Sequence, residues 1–122
     1  MNCKVLIVED DYIAQLTLEK ILKDIGFSDV VHASSIIGAR EKMKEQDFSL
    51  LLLDIYYKGE EMGVSFAREV KDANQQIGVV LHTALSRQDV EDIIEGKAEV
   101  DDVIYKPYNY DRIKATVVKW LF

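Results

Sequence analysis

Four short, continuous apolar segments recur along the chain. They lie at residues 5–8, 50–53, 77–81 and 103–105. Continuous rather than alternating hydrophobicity is typical of strands that are covered on both faces, as the strands of a parallel sheet are. A fifth, weaker segment at residues 27–32 is expected nearer an edge of the sheet. The segments therefore predict a parallel sheet packed between two other layers.

The stretches between these segments carry the period of helices with one buried face. Apolar residues recur three or four positions apart in five sets: Ala14, Leu18, Ile21, Leu22 and Ile25; Ile36, Ala39 and Met43; Phe66, Ala67 and Val70; Val90, Ile93 and Ile94; Ile113, Val117, Trp120 and Leu121. The predicted order is βαβαβαβαβα. Because crossovers between parallel strands are right-handed, this order predicts a doubly wound α/β domain with five strands and helices on both faces.

Residues that favour helix ends stand near the predicted limits. Gly26 is expected just after the first helix, where a left-handed residue is common. The predicted starts are Ser34 or Ser35 for the second helix, a position after Gly63 for the third, and Asn109 or Asp111 for the fifth.

Size and charge exclude several classes of protein. The 122 residues suit one domain, residues 1–122, and leave no room for a second core. The net charge of -7 disfavours direct contact with nucleic acid or an anionic membrane. The single cysteine, Cys3, cannot form an internal disulfide. With neither a signal-peptide pattern nor a membrane-spanning apolar stretch, we expect a cytoplasmic protein.

Polar residues follow four of the predicted strands at the point where each ends. Glu9 and Asp10 follow the first, Asp54 the third, Thr83 the fourth and Lys106 the fifth. The carboxyl ends of parallel strands meet at one edge of a sheet, where open α/β folds bind their ligands. Three carboxylates, a hydroxyl and an ammonium gathered there suit phosphoryl chemistry with a divalent cation.

Over essentially its whole length, the chain resembles the receiver domain of two-component response regulators. The matching motifs are Val8-Glu9-Asp10-Asp11, Leu53-Asp54-Ile55, His82-Thr83-Ala84 and Lys106-Pro107-Tyr108. The resemblance implies a flavodoxin-like sheet with strand order 2-1-3-4-5. It also implies a signalling domain that assists only its own phosphorylation and dephosphorylation, and not an enzyme.

The same resemblance implies a role for each acidic residue. Asp54 would accept a phosphoryl group from the phosphohistidine of a sensor histidine kinase or a histidine phosphotransfer protein. Mg²⁺ would be held by Asp54, directly by Asp10, by Glu9 through water, and by the backbone carbonyl of Tyr56. Asp11 is expected to point to solvent at the start of the first helix, where it complements the helix dipole.

The resemblance also implies roles for Lys106 and Thr83, whereas His82 is interpreted from its place in the sequence. Lys106 would pair with the carboxylate and then with the phosphoryl group, and the Lys106-Pro107 bond would be cis. Thr83 would donate its hydroxyl to a phosphoryl oxygen. His82 is a tempting acid–base candidate, but a single histidine at the end of a buried strand is more often a core residue with satisfied nitrogens, and we expect that here.

The chain departs from the family pattern at the position three residues before the lysine. Many receivers carry an aromatic residue there, and this chain has Val103. Tyr105 lies two residues on and, by strand alternation, on the same face. It is expected either to substitute for the missing aromatic or to pack against the fifth helix.

The resemblance also implies that phosphorylation is conveyed through the surface of the fourth helix, fifth strand and fifth helix. This surface could form a homodimer, for which Asp101, Asp102 and Arg112 offer opposite charges. The alternative function is that of a non-phosphorylated protein-interaction module with the same fold.

Overall fold

A computed structural model describes residues 3–55, 60–95 and 100–121 of the chain. Strands and helices alternate along it. Their bounds are β1 Lys4–Val8, α1 Tyr12–Ile25, β2 Asp29–Ala33, α2 Ile36–Glu45, β3 Leu50–Asp54, α3 Glu60–Ala73, β4 Gly78–Thr83, α4 Arg87–Ile94, β5 Asp102–Tyr105 and α5 Tyr110–Val117. The strands are parallel and form one sheet in the order β2-β1-β3-β4-β5. The predicted doubly wound fold and its strand order are confirmed.

The core consists of two apolar layers, one on each face of the sheet. Successive side chains of a strand point to opposite faces, so Leu51 and Leu53 of β3 enter one layer while Leu50 and Leu52 enter the other. The first layer packs against α2, α3 and α4. The second packs against α1 and α5. Burial on both faces explains why β3 is a continuous apolar segment.

Side-chain caps fix the start of three helices close to the site. Asp11 caps α1 by accepting hydrogen bonds from the backbone nitrogens of Ile13 and Ala14. Ser35, rather than Ser34, caps α2, and Asn109, rather than Asp111, caps α5. These caps set the position at which the chain turns from a strand end into the next helix.

One predicted helix start is wrong. Gly63 lies inside α3, which begins at Glu60, and does not precede the helix. A Cβ atom at Gly63 would lie 2.9 Å from Cγ2 of Ile55. The glycine therefore allows α3 to approach the end of β3 closely, which explains its presence better than a turn.

A 3-10 turn, Val118–Trp120, follows α5. The indole of Trp120 packs over Gly78, where a Cβ atom would lie 2.2 Å from the ring. The predicted fifth helix extended to Leu121, but α5 ends at Val117. Trp120 and Leu121 lie beyond the helix and still pack against the second apolar layer. In the part of the chain that the structure describes, no helix is both long and apolar enough to cross a membrane.

Candidate functional site

An open cleft lies at the carboxyl edge of the sheet and has a volume of about 280 Å³. The ends of β1, β3, β4 and β5 bring the five predicted side chains to it: Glu9, Asp10, Asp54, Thr83 and Lys106. The predicted metal ligand Tyr56 lies outside the described residues. The sequence prediction that these strand ends converge is therefore correct for every predicted residue that the structure describes.

Lys106 joins the two more buried carboxylates of the cleft. Its Nζ donates to Oε1 of Glu9 at 2.6 Å and lies 3.7 Å from Oδ1 of Asp54. Burial lowers the pKa of Lys106, but the hydrogen bond with Glu9 and the charge of Asp54 outweigh it and raise the pKa above its ordinary value. The side chain therefore remains an ammonium, with its stronger contact to Glu9.

Asp54 and Glu9 differ in how readily they ionise. Burial, followed by the negative charge of Glu9, raises the pKa of Asp54 to about 7 despite the nearby Lys106. Burial also raises the pKa of Glu9, but hydrogen bonds from Lys106 and from the backbone nitrogen of Asp11 bring it below its ordinary value. Among the described residues, the carboxylates that line the cleft thus outnumber its one ammonium, Lys106.

The acidic residues after β1 are placed differently from one another. Glu9 is buried, and its Oε2 accepts from the backbone nitrogen of Asp11 at 3.1 Å. Asp10 is exposed on the wall of the cleft. Asp11 is exposed as expected, and it caps α1. Asp10 is therefore more accessible from the cleft than Glu9, and the predicted division of metal binding between them stays a prediction.

The cleft fits a divalent cation such as Mg²⁺ by its donor set. Carboxylate oxygens are the ligands that Mg²⁺ prefers. Glu9, Asp10 and Asp54 supply them. Burial and then the charge of Glu9 raise the pKa of Asp54, and a cation would offset that charge. A carboxylate oxygen of Glu9 and one of Asp54 lie within 4.8 Å of each other.

The hydroxyl of Thr83 is hydrogen-bonded to two backbone groups. It donates to the carbonyl oxygen of Ile55 at 2.7 Å and accepts from the backbone nitrogen of Leu85 at 3.0 Å. Thr83 is completely buried. Donation from this hydroxyl to a ligand in the cleft would require its proton to leave Ile55.

His82 is a core residue with satisfied nitrogens, as predicted. It is completely buried, and burial lowers its pKa to about 3, so the ring is neutral. Its Nε2 is 3.2 Å from the carbonyl oxygen of Val8, which can only accept, so Nε2 carries the proton. Its Nδ1 therefore accepts from the hydroxyl of Tyr108 at 2.9 Å. Sequence reasoning missed this pair, since no spacing rule joins two residues from different strand ends.

Tyr105 packs toward α4 and not toward α5. It shares the first apolar layer with Val103 and with Val90 of α4. The guanidinium of Arg87, the first residue of α4, lies 4.9 Å from the centre of its ring. Tyr105 is paired in register with Thr83. Its ring thus lies between the end of β4 and the start of α4, although its predicted role as a substitute aromatic stays a prediction.

The charges expected to pair across a dimer are paired within the chain. Lys71 lies 2.7 Å from Oδ2 of Asp101, which also accepts from the backbone nitrogen of Val79. Arg112 lies 3.5 Å from Oδ1 of Asp102. Any intermolecular pairing through Asp102 and Arg112 would have to replace this contact.

Comparison with known proteins shows the same class of domain. Residues 5–118 match the family model of the response regulator receiver domain. The chain is 34% identical over 121 residues to the transcriptional regulatory protein ZraR of Escherichia coli K12, covering 98% of this chain and 26% of that protein. It is 31% identical over 122 residues to the chemotaxis protein CheY of Bacillus subtilis, covering 99% of each. The chain thus spans about a quarter of the length of ZraR and nearly all of CheY.

A solved structure agrees at the level of the fold. The receiver domain of a sensor histidine kinase from Pseudomonas aeruginosa PAO1, with magnesium in its active-site cleft, matches with a TM-score of 0.79 and 20% identity, covering 99% of this chain and 98% of that one. The chain belongs to the response regulator receiver family of two-component signalling systems.

Proposed function

We propose that Asp54 accepts a phosphoryl group from a phosphohistidine in a Mg²⁺-dependent reaction. The observation that carries the proposal is the place of Asp54 in the cleft, next to Glu9 and 3.7 Å from the ammonium of Lys106. Once ionised, a carboxylate needs no general base to act as a nucleophile, and a bound cation would favour the ionised form that burial and Glu9 disfavour. The donor would be a sensor histidine kinase or a histidine phosphotransfer protein.

In the proposed step, one carboxylate oxygen of Asp54 forms a bond to phosphorus while the bond from phosphorus to the donor's imidazole nitrogen breaks. The imidazole leaves with the electron pair of that bond. Lys106 supplies a compact positive charge to the phosphoryl oxygens. Asp10 and Asp54 would hold Mg²⁺ directly, Glu9 through water, and Tyr56 through its carbonyl. When bound, the metal neutralises charge on the phosphoryl oxygens.

The proposed output begins with Thr83. Its hydroxyl would turn from Ile55 to a phosphoryl oxygen, which would shift the segment leading into α4 and so the surface formed by α4, β5 and α5. That surface would bind the output partner or a second copy of the chain. The proposed domain spans residues 1–122, its proposed location is the cytoplasm, and we expect no direct contact with nucleic acid. It would not act as an enzyme on a separate substrate.

The alternative is an interaction module of the same fold that is never phosphorylated. Such a module needs the surface of α4, β5 and α5 but has no use for a lysine between two carboxylates. The ion pairs of Lys106 with Glu9 and Asp54 therefore favour the phosphoacceptor.

The test is incubation with acetyl phosphate and Mg²⁺ followed by intact mass measurement. We expect a gain of one phosphate in the wild type and none in Asp54→Asn. Asp11→Asn is the matched control: it removes a carboxylate from the same cleft, yet asparagine caps a helix about as well as aspartate. An adduct that persists in Asp54→Asn would place the phosphate elsewhere. No adduct in any protein would favour the interaction module.

A further inference from the structure

The imidazole of His82 connects three of the strand ends that carry the site. Its Nε2 donates to the carbonyl oxygen of Val8, the residue before Glu9. Its Nδ1 accepts from the hydroxyl of Tyr108, beyond the end of β5. His82 itself directly precedes Thr83 in β4. One buried ring therefore binds the residue next to Glu9 and the segment that follows Lys106.

A second connection reaches His82 through the backbone of β3. His82 is paired in register with Asp54, and its carbonyl oxygen accepts from the backbone nitrogen of Ile55 at 3.4 Å. The residue is thus adjacent to every strand end that supplies a predicted site residue.

Tyr108 carries this connection to Lys106. The backbone nitrogen of Lys106 donates to the carbonyl oxygen of Thr83 at 2.7 Å, and the hydroxyl of Tyr108 donates to His82. Adjacent residues of β4 therefore hold both ends of the three-residue segment 106–108. The ring of Tyr108 also lies beside the lysine, with its centre 6.0 Å from Nζ. Displacing the ring would displace the segment from which Lys106 extends.

We propose that His82 and Tyr108 form a positioning pair that holds the ammonium of Lys106 in place against Glu9 and Asp54. Neither side chain would touch the phosphoryl group, so both act through Lys106. Burying two polar groups is costly unless each finds a partner, and two apolar side chains would fill the same space without that cost. The hydrogen bond of the polar pair fixes the position and orientation of the two rings, because it constrains both distance and angle. Its effect on phosphorylation rests on the proposed function of Asp54.

The first test compares the removal of two hydroxyls. Tyr108→Phe deletes the bond to His82 and keeps the ring, while Tyr110→Phe deletes a hydroxyl at the partly exposed first residue of α5. Phosphorylation by acetyl phosphate is measured over a range of donor concentrations at saturating Mg²⁺. We expect Tyr108→Phe to lower the maximal rate by about 10- to 100-fold, with little change in the half-saturating donor concentration. Tyr110→Phe should match the wild type, and equal rates in the two variants would overturn the proposal.

A double variant separates positioning from stability. Tyr108→Phe leaves Nδ1 of His82 buried without its donor. His82→Leu with Tyr108→Phe removes that nitrogen, and only the carbonyl oxygen of Val8 then loses a donor. The double variant should therefore recover part of the lost resistance to urea while its phosphorylation remains slow. If the rate recovers together with the stability, the pair has only a structural role.

A measurement without any phosphodonor keeps the two proposals apart. We expect the ion pair with buried Glu9 to slow proton exchange at Lys106, so that the side-chain ammonium gives a resolved NMR signal. We expect Tyr108→Phe to broaden or remove this signal and Tyr110→Phe to keep it. If no protein takes up phosphate, the proposed function fails, and this signal alone decides on the positioning pair. An unchanged signal in Tyr108→Phe would refute it.

Discussion

Asp54 carries a charge that its surroundings oppose. The side chain is largely buried, Glu9 adds a second negative charge, and Lys106 is hydrogen-bonded to Glu9 and only near Asp54. Its pKa of about 7 lies far above the ordinary value of 3.8. Without a cation, ionisation of Asp54 therefore lowers the stability of the folded protein.

This conflict predicts that Asp54→Asn stabilises the metal-free protein in a pH-dependent way. Between pH 3.8 and about 7 the folded chain keeps a proton that the unfolded chain has released. The free energy of unfolding therefore falls as the pH rises through this range. Asparagine cannot ionise, so in EDTA the variant should gain about 1–3 kcal/mol at pH 8 and little at pH 4. Urea unfolding at the two pH values measures the difference.

Exposed Asp47 provides the control, since Asp47→Asn should change stability little at either pH. Under the proposed function, saturating Mg²⁺ should shrink the gain of Asp54→Asn, because the variant lacks a metal ligand. A gain of the same size at pH 4 and pH 8 would show that the ionisation of Asp54 is not its cause.

The 3-10 turn after α5 packs against β4 through a contact that needs a glycine at position 78. The indole of Trp120 occupies the space where any side chain at Gly78 would begin. Trp120 can occupy its position on the second apolar layer only because Gly78 has no Cβ atom.

Gly78→Ala is accordingly expected to lower the free energy of unfolding by about 1–3 kcal/mol, as overpacking does. The new Cβ would lie 2.2–2.6 Å from three indole atoms, which Trp120 can relieve only by moving. Gly38→Ala is the control, because its nearest neighbour is the hydroxyl of Ser35 at 3.3 Å and alanine favours the helix interior. Adding Trp120→Ala to Gly78→Ala should cost less than the sum of the single changes. Strict additivity would exclude the clash.

We expect activation to expose a self-complementary surface on α4, β5 and α5. Exposed ion pairs contribute about 0–1 kcal/mol each, so Asp102 and Arg112 would orient a dimer more than hold it. Sedimentation velocity with Mg²⁺ and beryllofluoride, which mimics the phosphoryl group, should show a dimer that is absent without beryllofluoride. Arg112→Glu should weaken the dimer a few-fold, and Asp54→Asn should stay monomeric. A monomer under all conditions would contradict dimerisation and leave a different protein as the partner.

The sequence was sufficient for the sheet because burial on both faces leaves a continuous apolar signature. Residues 50–53 were predicted where β3 runs from Leu50 to Asp54. The convergence of Asp54 and Lys106 followed from topology, since parallel strands end at one edge. The bond between His82 and Tyr108 and the contact of Trp120 with Gly78 could not be predicted, because they depend on side-chain directions across distant elements. The predicted position of Gly63 before α3 is wrong, because in a sequence a glycine required for close packing looks the same as one required for a turn.

The single proton of the Thr83 hydroxyl limits how far phosphorylation can shift the equilibrium between the resting and the activated conformation. A hydroxyl donates once, so Thr83 can serve Ile55 or a phosphoryl oxygen, never both. A neutral hydrogen bond contributes about 1 kcal/mol and one to a charged group about twice that. Under the proposed function, this exchange alone would shift the populations by about fivefold. The background activity of unphosphorylated molecules would then depend on how often the hydrogen bond from Thr83 to Ile55 breaks without phosphorylation.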